Sequence, residues 1–302
     1  MQNILKRLLT VLLIFISTYT SGQDSTIVYT LDFKGVASTA NTTAFWLHAN
    51  KYGAVPYTGN FVLGQAGIYK IYNPSNPRFF QASAGALLNG NLSKSSDLFF
   101  QDLFITGKAG PIELFVGQKA EMIGLADSTL SIGSIALSQN FRPYPKIQIS
   151  TPHFTKILPH FDFVKFKLSY SDGLLGRATV GYGNVSYVPE VYLHQKSLYV
   201  KFGKSTHKFN LILGFNHQVM WGGEEKIFSG GLKNAEAYHY VVIGKPWAYS
   251  RVGNHFGTID IGAELKGKQW NLFVYRQNIY EDGSLAKLSN IADGLNGIRL
   301  KR

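Results

Sequence analysis

"GTIDIGAEL", residues 257–265, alternates without a break: Ile259, Ile261, Ala263 and Leu265 fall on one side, Thr258, Asp260, Gly262 and Glu264 on the other. A period of two is the mark of a β-strand with one apolar and one polar face. The polar side mixes small residues with charges. The next run, "WNLFVYRQ" (270–277), follows a tight "KGKQ" turn, so residues 256–277 read as one antiparallel hairpin.

The same rhythm extends in both directions. "FVKFKLSY" (163–170) sets Val164, Phe166, Leu168 and Tyr170 against Lys165, Lys167 and Ser169. "LYVKFGK" (198–204) opposes Leu198, Val200 and Phe202 to Tyr199, Lys201 and Gly203, and "KFNLILGFNH" (208–217) aligns Phe209, Leu211, Leu213 and Phe215. The runs last about 9–12 residues, the length a tilted strand needs to cross a bilayer. Tyr and Phe gather near run ends, as in "RFF" (78–80), "LFF" (98–100), "YHYVV" (238–242) and "YRQNIY" (275–280), where an interfacial girdle belongs. A soluble β-sandwich also alternates; run length, small residues among the charges, and the aromatic placement favour a barrel.

Composition points the same way. Charged residues make up 16% against a usual ~25%, aromatics 14%, and glycine numbers 31. At the N-terminus, Lys6-Arg7, the apolar run Leu8–Ile16 and the small, polar "STYTSGQ" have the order of a secretory signal peptide, ending at residue 22. That apolar run is short of the ~20 residues of a spanning helix, and nothing later reads as one. Cysteine is absent, so no disulfide staples an exported chain. Lys and Arg exceed Asp and Glu by 12. For an exported chain that excess favours anionic polysaccharide or lipid headgroups over nucleic acid.

From Gly124 to Pro159 the rhythm fails, and Pro143, Pro145, Pro152 and Pro159 exclude a central strand there. This long connection is expected to enter the lumen or cap one mouth. A second irregular stretch, Asp172 to Tyr192, separates two good strands. The last residues, "DGLNGIRLKR" (293–302), open another strand. About 12 strands are legible, and a barrel in lipid has to close, so the chain reads as a C-terminally truncated form of a longer barrel.

No catalytic or cofactor motif survives scrutiny. "GAELKGK" (262–268) resembles a phosphate loop, but it lacks the Ser or Thr and crosses a hairpin instead of opening a helix. There is no G-x-S-x-G, the eight histidines are scattered without a metal-ligand spacing, and "EDGS" (281–284) and "ADG" (292–294) read as Asp-Gly turns. In "HQVMWGGEEKIFSGG" (217–231), His217, Val219 and Trp221 continue one strand face until Gly222-Gly223 ends the strand. Trp221 is then a girdle aromatic or a platform for a sugar ring.

Four segments together resemble the Wzi capsule-assembly family, in a Bacteroidetes-like version. They are "GQKAEMIGLADSTLSIGSIALSQNFRPYPKIQISTPHF" (117–154), "LHQKSLYVKFGK" (193–204), "HQVMWGGEE" (217–225) and "YRQNIYEDGSLAKLSNIADGLNGI" (275–298). The patterns S-x-G-S-x-x-x-S and Q-V-x-W-G-G carry most of the likeness. The resemblance implies an outer-membrane β-barrel of about 18 strands with an obstructed lumen. It also implies a lectin-like, non-enzymatic role in anchoring capsular or other exported polysaccharide at the cell surface. It fixes no sugar contact residue by residue.

The sequence therefore leads to a leader (1–22) and one domain (23–302), an all-β, antiparallel transmembrane β-barrel with an occluded lumen. The expected place is the outer membrane, without cofactor or metal. The expected partners are anionic surface polysaccharide and outer-membrane lipid. Trp221, Arg142, Lys165, Lys167 and Lys201 are the candidate polysaccharide contacts. A porin-like passive channel, with residues 124–159 as a constriction, is the alternative, and an outer-membrane hydrolase a weaker third.

Overall fold

The computed structural model describes residues 26–302, apart from 74, 76, 77, 128–130, 132, 159, 248, 249, 282, 283 and 285–288. The leader and Asp282-Gly283 of "EDGS" lie outside the described residues. The strands are β1 (Ile27–Val36), β2 (Phe61–Lys70), β3 (Phe80–Ser93), β4 (Asp97–Ala109), β5 (Ile112–Gln118), β6 (Lys146–Ser150), β7 (Thr155–Leu158), β8 (Phe161–Thr179), β9 (Tyr187–Phe202), β10 (Phe209–Trp221), β11 (Pro246–Trp247), β12 (Ser250–Arg251), β13 (Asn254–Lys266), β14 (Asn271–Glu281) and β15 (Leu295–Lys301). Among the described residues, thirteen strands form one sheet, in the order β1-β2-β3-β4-β5-β6-β8-β9-β10-β13-β14-β15 with β7 on β8. Every pairing is antiparallel, so the chain is an up-and-down meander. No helix among the described residues is long and apolar enough to cross a membrane.

The two faces are those the alternation predicts. Tyr29, Leu31 and Phe33 on β1, Leu114 and Val116 on β5, Ile147 and Ile149 on β6, Leu213 on β10 and Ile261 on β13 form a broad, solvent-accessible apolar face. On the other face Asn89, Asp102, Lys146, Asn216, Asp260 and Gln277 are buried. Hydrophobic outside and polar inside inverts the usual soluble arrangement. A single extra residue keeps this in phase on β4. Leu87 faces Asp102 while Leu88 faces Phe100, leaving Gln101 bulged, and the outward set passes from Leu98 and Phe100 to Leu103 and Ile105.

Strands distant in this order reach one common segment, residues 119–145, so the sheet is curled around it. Its edge strands β1 and β15 do not pair with each other, and the sheet is not closed among the described residues. Connections 37–60, 119–145, 222–253 and 282–294 leave from one end of the strands. The short connections 110–111, 203–208 and 267–270 lie at the other.

Three expectations are corrected. The proline-rich stretch is not wholly irregular: β6 and β7 lie within it, each too short to include a proline. The stretch Asp172 to Tyr192 is largely strand, because β8 and β9 stay paired through two register shifts around Gly176. Pro189 is tolerated in β9 because Val188 and Val191 pair across it while it has no ladder partner. Finally, "YHYVV" belongs to the helix Asn234–Ile243, not to a strand end. A helix of that length is marginal alone. Ala237 and Val241 hold it by packing on Val219, Trp221 and Val252, where one fully buried valine contributes about 1.5–3 kcal/mol.

Candidate functional site

The described residues of the segment 119–145 lie against the inner face, held from several strands at once. Ala120 N–H donates to Asp102 Oδ1 on β4 at 2.8 Å. Gln218 Nε2 on β10 donates to the Ala136 carbonyl at 2.7 Å. Asp127 lies 3.3 Å from Arg299 Nη1 and 3.0 Å from Lys301 Nζ on β15. Lys146 pairs with Glu121. A neutral hydrogen bond contributes about 0.5–1.5 kcal/mol and a buried one to a charged partner about 1.5–3 kcal/mol, so these ties together hold the segment against the inner face as a plug. Gly124 marks its closest approach to the wall: φ is +100° and a Cβ there would sit 2.2 Å from Gln277 Nε2. The 37–60 connection braces it from the long-loop side, where the Tyr52 hydroxyl donates to the Glu121 carbonyl at 3.2 Å. Tyr144 ends the plug, and burial pushes its hydroxyl above the usual phenol range.

The three strand lysines all point inward. Lys165 is buried and bonded to Ser205 at 2.8 Å and Asp162 at 2.9 Å. Lys201 bonds Glu264 at 2.7 Å, across two strands, which takes it out of competition for a ligand. Lys167 makes no hydrogen bond or ion pair among the described residues, and it borders a cavity. Arg142 sits on the plug, paired with Asp97 and stacked 3.6 Å from the Phe99 ring. The structure thus brings Lys165, Lys167 and Lys201 to one face, sets Arg142 apart on the plug, and separates Trp221 from all four.

Trp221 lies on the outer face. β10 ends there, and Gly222 (φ +123°) and Gly223 (φ +84°) turn the chain away, as the paired glycines required. The segment 222–253 then folds back over the outer wall. Trp221 packs between Tyr192 and Tyr238, with ring centroids 5.0 and 5.6 Å away, so its indole is an internal packing element in this arrangement.

That fold-back covers a polar cluster that sequence reasoning missed. Asp172 on β8 accepts from His194 Nδ1 on β9 and from the Tyr238 hydroxyl on the helix, both at 2.8 Å. Tyr238 also meets the Tyr170 hydroxyl at 2.8 Å. Nearby, His217 Nε2 lies 3.1 Å from His255 Nδ1. A signal existed: Asp172, His194 and His217 fall on the apolar side of their strands. Their shared height on three neighbouring strands was not readable. The Asp172–His194 dyad resembles half of a hydrolytic relay, but no hydroxyl or thiol meets His194 Nε2 among the described residues. No group of three or more His, Cys, Asp or Glu among the described residues is arranged to hold a metal ion.

An internal cavity of about 530 Å³ lies between the plug and the short-turn end of the strands. Its volume falls within the roughly 300–1,000 Å³ of small-molecule sites. Lys108, Lys119 and Lys167 supply positive charge, and Tyr72, Phe104 and Tyr199 supply ring faces.

No protein-family model matches the chain, and no curated protein sequence matches it. Among solved structures it is similar to the in-vitro folded outer membrane protein OmpT of Vibrio cholerae. The trimer form of OmpT shares 8% identity over 90% of this chain and 82% of that one, with a TM-score of 0.34. A loop L8 deletion mutant of OmpT shares 9% over 84% and 94%, with a TM-score of 0.23. At this level of superposition the likeness carries no functional argument.

Proposed function

We propose that this chain forms the wall of an outer-membrane β-barrel that binds anionic surface or capsular polysaccharide without catalysing a reaction. The observation that carries the reading is the plug. The described residues of 119–145 are tied to β4, β10 and β15 and lie across the inner side of the sheet, where a passive channel would be open. The accessible apolar face matches what lipid requires, with alternate residues facing a polar interior. Lysines and aromatic rings around the internal cavity suit acidic sugars, and the resemblance of the sequence to the capsule-assembly family agrees. The Asp172–His194 dyad meets no hydroxyl or thiol at His194 Nε2 among the described residues, so it does not support the hydrolase reading.

Two measurements test this. A strain lacking the gene should release more capsular polysaccharide into the medium at unchanged synthesis; unchanged retention would sink the assembly role. In planar bilayers the protein should show no steady open-channel conductance. Stable conductance of the intact protein would favour the channel instead.

A further inference from the structure

We infer that the 530 Å³ cavity is a receptor site for the end of a carboxylate-bearing glycan, entered from the short-turn mouth, with Lys167 as its central anion contact. This rests on the reading of the protein as an outer-membrane glycan binder and adds the place, the side and the ligand chemistry.

The side follows from the connections. In outer-membrane barrels short turns face the periplasm and long loops the exterior. The long connections 37–60, 119–145 and 222–253 share one end, and the plug descends from it. The cavity lies below the plug, with Lys119–Gly124 as its ceiling. Its rim is made at the opposite end by Gly110-Pro111 in the β4–β5 turn and Thr151–His153 beyond β6. Along the strands, a ligand arriving from the long-loop end meets the plug; one arriving from the short-turn end meets none of these ties.

The chemistry follows from charge and shape. Lys167 has no hydrogen bond or ion pair among the described residues, and Glu121, the carboxylate that acts on it, is already bonded to Lys146. Lys108 and Lys119 stand 4.9 Å over the rings of Tyr72 and Phe104, and Glu113, on the same cavity, is the cross-strand neighbour of Lys108. An ammonium without a hydrogen-bond partner in a partly open cavity favours an anion that supplies the missing acceptors. A small inorganic anion would use the lysines alone. Gln148, Gln195 and the ring of Tyr199 line the same space and offer amide donors and an apolar face, which a sugar ring uses and a bare ion does not.

The test is calorimetric titration of the detergent-purified full chain with a short oligogalacturonide, beside a size-matched maltooligosaccharide and inorganic phosphate. Wild type should bind the oligogalacturonide, and added salt should weaken it. Lys167→Met should lose roughly tenfold or more, the effect of removing one charge-assisted contact. Lys226→Met, exposed on the other side of the protein, should change nothing. Unaltered binding by a folded Lys167→Met protein overturns the assigned site while leaving glycan binding intact. Failure of wild type to bind either saccharide overturns the underlying reading and this site with it. Phosphate binding as well as the oligogalacturonide overturns the glycan assignment. Because the chain has no cysteine, sidedness has its own readout. His153→Cys, exposed at the rim, should react with a polyethylene-glycol maleimide only after the outer membrane is permeabilised; labelling of intact cells overturns periplasmic access.

Discussion

Leu198 and His194 stand on the same face of β9, four residues apart, and meet opposite surroundings. Leu198 is 46% exposed within the apolar outer wall; His194 is 0% exposed beneath the helix Asn234–Ile243. The same division runs across the neighbouring strands. Toward the short turns the outer face carries Leu168, Leu198 and Leu213, and toward the long loops it carries Asp172, His194 and His217. A strand's period of two decides which residues share a face, but not what that face touches. Here one face serves two environments, bare wall below and a covered polar seam above.

The sharpest way to break this comparison is a charge on the bare part. Leu198→Arg should cost roughly 2–4 kcal/mol in lipid vesicles, read as the shift in urea midpoint, because an outward arginine meets hydrocarbon. No loss would mean that the lower wall does not face lipid. Next in size is Asp172→Asn on the covered part. It weakens the bonds from His194 and Tyr238 together and should cost about 1.5–3 kcal/mol. The loss should be local, seen as faster hydrogen exchange in 222–253 with the sheet unaffected. An equal loss throughout the sheet would show that the cover is part of the wall's own stability.

Tyr144→Phe asks a smaller question about the inner face. The Tyr144 hydroxyl is buried without a hydrogen-bond partner among the described residues, so removing it should be neutral or stabilise by about 1 kcal/mol. Its pH signature has a definite sign. Burial raises the folded value above the usual ~10, so the stability tied to the neutral phenol is complete below about pH 10 and is lost as pH rises toward the raised value. With phenylalanine in place, that alkaline decline in thermal midpoint should shrink.

Much of the wall was legible in the sequence. "GTIDIGAEL" put Asp260 and Glu264 opposite Ile259 and Ile261, and the structure buries Asp260 while leaving Ile261 outside. The inward direction of Lys165, Lys167 and Lys201 was readable for the same reason. The plug was readable as a break in rhythm, though not its target, because proline excludes strand without saying where the chain goes next. "YHYVV" misled: its residues favour strand, and packing on Val219 and Val252 overrode that preference.

What the sequence determined by itself is whatever depends on neighbours in the chain: the alternation, the strand stop at Gly222-Gly223, and the sides to which the lysines belong. What only the tertiary structure decided depends on residues brought together from afar. Asp172, His194 and Tyr238 form one cluster from three elements, Lys201 bonds Glu264 while Lys167 makes no hydrogen bond or ion pair among the described residues, and Trp221 is covered where an exposed platform was one of two expectations. The physical reason is that side-chain direction is a local property of an extended backbone. Burial and pairing are set by which distant strands and loops arrive at the same place.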